Sequence, residues 1–576
     1  MNVLQQLNYL LEKKTKRNLI IVVIMSVIGS AVELLGVTIV LPIVDLAMDQ
    51  GNGEGLIANS IRSITGAGTK EELLLWMIVL TIFIYIVKNI YVCFMYSRQY
   101  KFAATVKRET AARLMKSYFS RPYSFFLYKN SAELIRSVGS DTGQLFQLLS
   151  NLLIIFSNVL TALCIITFLA ITNLGMTITV GLILGICLMV IGLGLQKINR
   201  RNGRINVQLN GFLIKYLQQA FEGIKEIKIM NIEDFFIDTY TSTYRKSTDM
   251  EVRYSFLNTM PKYIIESFAV VAVLGFLGAN IIVNPDYMEL VPQLAAFCVA
   301  AFKLLPSVNA IYASFNSVVY YKASIDIVYN DIKAAEDCEA EKWYLDKNDS
   351  NLSFKNEIRM ENVSFKYDGT EREVLSDISL SIKKGQSVAF VGASGGGKTT
   401  TADLILSLLN PTSGKVLVDG VDINSNIRNW RGKFGYIPQN IYMIDDSIRR
   451  NVAFGVYDDE IDDDKVWQAL REAQIEDFVK NLPDGLDTEV GERGTRISGG
   501  QKQRLGIARA LYRNPEILVF DEATSALDNE TEKEVMSEIE GLQGSKTIIM
   551  IAHRLSTIEN CDVVYRVENG KVEREK

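Results

Sequence analysis

Residues 497–504 read Ile-Ser-Gly-Gly-Gln-Lys-Gln-Arg, between a glycine-rich stretch and an apolar run that ends in acids. Upstream, Gly392-Ala393-Ser394-Gly395-Gly396-Gly397-Lys398-Thr399 follows the apolar run of residues 386–391. Downstream, Ile517-Leu-Val-Phe-Asp521-Glu522 is an apolar run ending in two carboxylates. A strand that leads straight into a glycine-rich turn and a lysine is the setting of a phosphate-binding loop. Its glycines let backbone N–H groups turn inward, Lys398 neutralises the β- and γ-phosphates, and the Thr399 hydroxyl suits Mg²⁺. Thr400 begins a helix whose positive end faces the same phosphates. Asp521, at a strand end, is placed to orient Mg²⁺. Glu522 beside it fits a general base, or a positioner, for the attacking water. A structural acid near a metal would occupy the same place. The phosphate loop by itself describes many nucleotide hydrolases.

From Ile358 onward short apolar strands (386–391, 416–418, 517–520, 547–551) alternate with helical stretches. This is an α/β arrangement with ligand loops at strand ends, assigned to residues 357–576. Residues 331–356 are charged and lack long apolar runs, and are read as a linker.

The first 330 residues have a different pattern. Six stretches, near 18–47, 73–96, 145–171, 174–196, 262–283 and 289–316, are apolar. Each is long enough to cross a bilayer, which takes about 20 residues per helix. The basic run before the first resembles the start of a signal peptide, but the apolar run is far longer than a signal core, so a retained helix is expected. Lys and Arg are dense in the N-terminus and in 98–136 and 197–262. The loop near 48–72 has only Arg62 and Lys70, and the turns near 173 and 284–288 have none. Positive charge marks the inner side, so both ends are expected inside and the nucleotide half in the cytoplasm. In the two inner segments Phe102, Val106, Leu114 and Tyr118, and Leu209, Phe212, Leu213, Leu217 and Phe221, recur at helical spacing. They are expected to carry the membrane helices inward, although a solvated hairpin would share the pattern.

Composition agrees. Hydrophobic residues make up 48% of 576, high for a soluble chain, and the net charge of −5 gives no reason to propose nucleic acid. None of the six cysteines forms a C-x-x-C pair, so they read as small packed hydrophobes.

The Ser498-Gly499-Gly500-Gln501 segment, between a phosphate loop and an acidic strand, resembles the ATP-binding-cassette (ABC) proteins. With six fused membrane stretches the chain resembles a type I exporter half-transporter. The expected fold is an all-α six-helix transmembrane domain, then an α/β P-loop cassette. The resemblance covers nearly the whole chain and implies ATP and Mg²⁺ as cofactors. It assigns Tyr367 to stacking on adenine, Gln439 to the metal and to sensing the membrane domain, and Asp528 to the loop crossing the subunit boundary. It assigns His553 to the γ-phosphate, and Thr488–Arg493 to contact with the coupling helices. Coupling segments are expected at Tyr123–Ser131 and Ile229–Phe236. In this superfamily Ser498–Gln501 of one cassette closes over ATP held by another. The chain has one of each, so it is expected to pair, most simply with itself, as a multi-pass protein of the bacterial plasma membrane. No site position is degenerate, so both sites of a homodimer are expected to hydrolyse ATP.

The cargo is less constrained. Lys88, Lys262 and Lys303 lie within or at the inner end of apolar runs, where a cation usually faces a cavity or snorkels to the headgroups. A shared cavity lined by all three would suit an anionic headgroup. A possible short outer helix at 55–64, with Leu56, Ile57, Ile61 and Ile64 on one face, is a second feature. With Tyr436–Tyr442, Asp446–Ile448, Lys303–Asn309 and Tyr320-Tyr321, these resemble the bacterial flippases of polyprenyl-pyrophosphate-linked oligosaccharides. A multidrug or lipid exporter with a hydrophobic cavity is the alternative within the class. An ATP-gated channel or regulatory membrane ATPase is the alternative outside it.

Overall fold

The structure, a computed structural model, describes residues 3–39, 43, 46, 62–63, 69–172, 174–283, 291–337, 352–522, 537, 541–552 and 560–576. Two compact units emerge: Met1–Arg121 with Lys129–Cys338, and Pro122–Tyr128 with Glu339–Lys576.

The first unit is helical. Its long helices are Lys13–Thr38, Lys70–Phe119, Thr142–Thr172, Leu174–Glu222, Glu233–Val283 and Val291–Glu336. Four stretches among the described residues are long and apolar enough to cross a membrane: Lys13–Gly36, Lys70–Phe119, Ser131–Ile171 and Glu233–Gly275. The other two expected stretches lie on the helices Leu174–Glu222 and Val291–Glu336. Ile82, Phe83, Ile86 and Ile90 stand exposed on the helix Lys70–Phe119. Water would penalise such a face and lipid would not, because a helix satisfies its own backbone hydrogen bonds. Inside, Ala162, Ile165 and Leu169 pack on Leu304.

Thr69 starts the helix Lys70–Phe119 with a capping box: its hydroxyl accepts from Glu72 N and its own N–H donates to the Glu72 carboxylate, both at 3.3 Å. The first inner stripe is present, since Phe102, Val106, Leu114 and Tyr118 are all buried. The second lies on the continuous helix Leu174–Glu222, with Leu213 buried and Phe212, Leu217 and Phe221 exposed. Helical spacing marks one face and does not say what covers it.

Three expected boundaries move. The last long helix runs on to Glu336, into the stretch read as linker. The first coupling candidate is the helix Tyr123–Tyr128, and Asn130 then caps a new helix, Ser131–Arg136. The second straddles a break, because the helix Ile224–Met230 ends at Asn231 in the left-handed region and another begins at Glu233. The outer segment 55–64 lies outside the described residues except for Arg62 and Ser63, which are helical.

The second unit holds two sheets. The strands β1 (Glu357–Phe365), β2 (Leu375–Lys383), β4 (Ser413–Val418) and β5 (Val421–Asp422) form an antiparallel sheet in the order β2-β1-β4-β5. The other sheet has β3 (Ser387–Val391), β6 (Phe434–Ile437), β7 (Ile517–Asp521), β8 (Thr547–Ile551), β9 (Val563–Glu568) and β10 (Lys571–Arg574). Its order is β10-β9-β3-β8-β7-β6. The pairs β9–β3, β3–β8, β8–β7 and β7–β6 are parallel. β3 and β8 are buried at every residue, which is why they read as unbroken apolar runs: both sheet faces are covered. Parallel alignment brings the C-terminal ends of β3, β6 and β7 to one edge.

Candidate functional site

That edge gathers the residues singled out in the sequence. The phosphate loop leaves β3, Asp521 ends β7, and Gln439 lies two residues beyond β6. Ligands of parallel α/β sheets bind at such strand ends. Gly392 and Gly397 have φ of 137° and 111°, in the left-handed region. A Cβ on Gly392 would come within 2.2 Å of the Val567 carbonyl oxygen, and one on Gly397 within 2.6 Å of Leu375. No other residue fits either position. The helix Lys398–Ile405 starts at Gly397. Lys398 is 5% exposed and donates to the Gly392 and Ala393 carbonyls at 2.9 and 3.0 Å. Burial lowers its pKa, opposed by Glu522 and Asp521.

The acidic pair is held from the neighbouring strand. Tyr436 Oη donates to Asp521 Oδ2 at 3.1 Å, and Gln439 Nε2 donates to Glu522 Oε2 at 2.6 Å. Burial raises the Asp521 pKa, and the Tyr436 hydrogen bond counters it. Glu522 has φ 48°, a left-handed conformation that costs a non-glycine residue about 1 kcal/mol or more and that clusters at functional sites. Burial, and next the charge of Asp521, raises Asp403 on the phosphate-loop helix to about 7. Tyr367 and Thr400 share a hydroxyl–hydroxyl bond of 3.1 Å, and the Tyr367 ring meets Phe365 edge-on at 4.9 Å.

The residues fit Mg²⁺·ATP. The loop is a cradle that only glycine permits, with a buried ammonium at its base. Thr399, Gln439 and Asp521 offer hard oxygen ligands, the type Mg²⁺ takes alongside phosphate oxygens. Bound there, Mg²⁺ would neutralise charge on the transferring phosphate.

Ser498 has a local task. Its hydroxyl accepts from Gln501 N at 3.2 Å while Gln501 Oε1 accepts from Ser498 N at 2.9 Å, a reciprocal cap on the helix Gly499–Tyr512. The helix start, with Gly499 and Gly500, is thereby a fixed set of N–H groups suited to an anion. Asp528 and His553 lie outside the described residues.

Within the helical unit, a cavity of about 490 Å³ is lined by Ser26, Ser30, Glu33, Tyr96, Tyr100, Ser157, Asn158 and Thr161, among others. Gln99, buried beside it, donates to Ser26 at 3.0 Å and to Ser157 at 2.8 Å. The expectation of a triad of cavity lysines changes here. Lys88 is 1% exposed and donates to Glu33 Oε2 at 2.9 Å, with the Tyr85 ring 4.5 Å away. A buried cation requires such a partner, so Lys88 adds no net positive charge. Lys262 is exposed, over the Tyr263 ring. The Lys303 side chain lies outside the described residues. Sequence reasoning missed the pairing although Glu33 was visible in the first apolar run: opposite charges in two apolar helices are the signal. It also missed Tyr436 and Asp403 as parts of the site.

Residues 19–300 match the family described as ABC transporter transmembrane region, and residues 375–525 match the family described as ABC transporter. A protein of Ralstonia nicotianae named ATP-dependent lipid A-core flippase is 30% identical over 481 residues, 82% of this chain and 80% of its own length. A protein of the same name from Burkholderia pseudomallei is 31% identical over 78% of this chain and 74% of its own. A solved bacterial Atm1-family ABC exporter with ATP bound superposes with a TM-score of 0.81 at 24% identity, covering 97% of this chain and 95% of the other.

Proposed function

The chain belongs to the ABC transporter family and couples an ATPase to transport across a membrane, and we propose that its cargo is an amphipathic glycolipid, a polyprenyl-pyrophosphate-linked oligosaccharide. The observation that carries this reading is the cavity among the membrane helices. Its wall is mixed: Ser26, Ser30, Ser157, Thr161 and Asn158 stand among Val92, Met95, Ile154, Pro306 and Ala310. The rings of Tyr96 and Tyr100 stack at 6.4 Å beside it. Hydroxyls and aromatic faces suit sugars and the apolar part of the wall suits a lipid portion, as an amphipathic cargo needs. With Lys88 neutralised by Glu33, the pyrophosphate falls to Lys262 and Lys303.

The chain acts as a homodimer with six membrane helices per copy and its cassettes in the cytoplasm of a bacterium. Two composite ATP sites form, each with Gly392–Thr399, Asp521, Glu522 and His553 from one copy and Ser498–Gln501 with Asp528 from the other. Phe221, Ile229, Met230 and Phe235, each exposed by about two thirds, supply an apolar surface for a partner. The relatives' name favours a second reading, a lipid A-core type of glycolipid, which shares the sugar and the phosphate. The test is ATPase stimulation of the full-length protein in proteoliposomes by polyprenyl-pyrophosphate glycans, lipid A-core, phospholipids and drugs. A glycan-bearing lipid is expected to stimulate most. Stimulation by drugs alone sinks both glycolipid readings.

A further inference from the structure

Asp521 is the final residue of β7, one residue beyond the last β6–β7 pair, Ile437 with Phe520. A metal ligand needs the direction of its carboxylate set to within a few tenths of an ångström. On this side of the sheet the restraint comes from β6. Tyr436 pairs in register with Val519, two residues before Asp521, and its hydroxyl reaches forward to Oδ2. The bond takes one carboxylate oxygen and leaves Oδ1 for the ion.

Of the side chains that fill a half-exposed β6 position, tyrosine alone carries a hydroxyl at this distance. Phenylalanine would fill the same space.

We infer that Tyr436 is a positioning residue for the reaction: its hydroxyl holds the Asp521 carboxylate in the orientation that binds the Mg²⁺ of Mg²⁺·ATP. It acts through Asp521, to which its hydroxyl is bonded. Residues that orient a ligand in this way typically change metal affinity about 10- to 100-fold when altered.

The test is Tyr436→Phe in the full-length protein in nanodiscs. Tyr436 is 39% exposed, so loss of one oxygen leaves the packing in place. Mn²⁺ affinity at saturating ATP, read by the EPR signal of free Mn²⁺, is expected to fall about tenfold. Binding of the fluorescent analogue TNP-ATP in EDTA is expected to stay within twofold of wild type, as is the melting temperature within about 2 °C. Two results overturn the inference. Mn²⁺ affinity within twofold of wild type would make the hydroxyl incidental. An equal loss of TNP-ATP binding in EDTA would place its effect on the nucleotide pocket or the fold instead.

Discussion

In the cassette the polar groups around the phosphate loop are bonded to one another. Lys398 holds two loop carbonyls, Gln439 holds Glu522, Tyr436 holds Asp521, and Ser498 and Gln501 hold each other. In the membrane unit polar groups bond across helices, yet some buried atoms have no partner among the described residues. Ser26 donates to Val22 and accepts from Gln99, and Ser30 donates to the Ser26 and Ser157 carbonyls. Gln99 buries an acceptor without a partner, and Asn199 buries both its polar atoms so. Buried groups left in this way are costly, and a protein keeps them where they act. The cassette grips one small ligand whose shape never changes, so its side chains are set in advance. The membrane unit leaves acceptors such as Gln99 Oε1 uncommitted among the described residues.

Breaking the cassette side of this comparison has the largest expected effect. Glu522→Gln is expected to lower steady-state phosphate release by about 10²–10⁴-fold, the usual contribution of a general base, while ATP remains bound. Retained nucleotide after gel filtration together with phosphate release would check it. Substantial turnover would remove Glu522 from catalysis.

Next is a buried ion pair of the membrane unit, Lys88 with Glu33. Lys88→Met leaves Glu33 without its cation and is expected to cost about 3 kcal/mol, seen as a lower melting temperature in detergent. Adding Glu33→Gln is expected to restore most of it. A double variant no better than the single would mean that the pair does more than satisfy itself.

A smaller effect tests whether everything near the phosphate loop is satisfied. Asp403 is the exception, with a folded pKa of about 7 against an ordinary 3.8. The folded state holds its proton more tightly than the unfolded chain. Its stabilising contribution is full below about pH 4 and is lost as pH rises through about 7. Asp403→Asn is therefore expected to raise the melting temperature by a few degrees at pH 8 and hardly at pH 4. A gain that does not grow with pH would deny the charge effect.

The smallest is the cap. Ser498→Ala removes a hydroxyl cap and is expected to cost about 1 kcal/mol of cassette stability. Equilibrium unfolding in denaturant reads it.

Much of the cassette was legible because its signals are local. The turn after β3, the carboxylates at the end of β7 and the Ser-Gly-Gly-Gln start of a helix each lie within a few residues. What stayed hidden was pairing between distant positions. Tyr436 and Asp521 are joined only by the parallel register of β6 and β7, and Lys88 and Glu33 only by the packing of two helices. The helical stripe from Leu209 to Phe221 showed the other limit, since periodicity gave the face and its exposure came from packing. The linker boundary was misplaced because the charged residues that end the last helix, up to Glu336, look like a linker until the helix is seen to continue through them.

The reciprocal cap at Ser498 and Gln501 bears on speed. An anion arriving at the helix Gly499–Tyr512 meets N–H groups whose directions were settled when the copy folded. Little ordering is left for the moment of encounter, so the entropy of arranging this surface does not enter the encounter barrier. Assembly of two such faces would then be paced by diffusion and nucleotide supply, and slowed by viscosity.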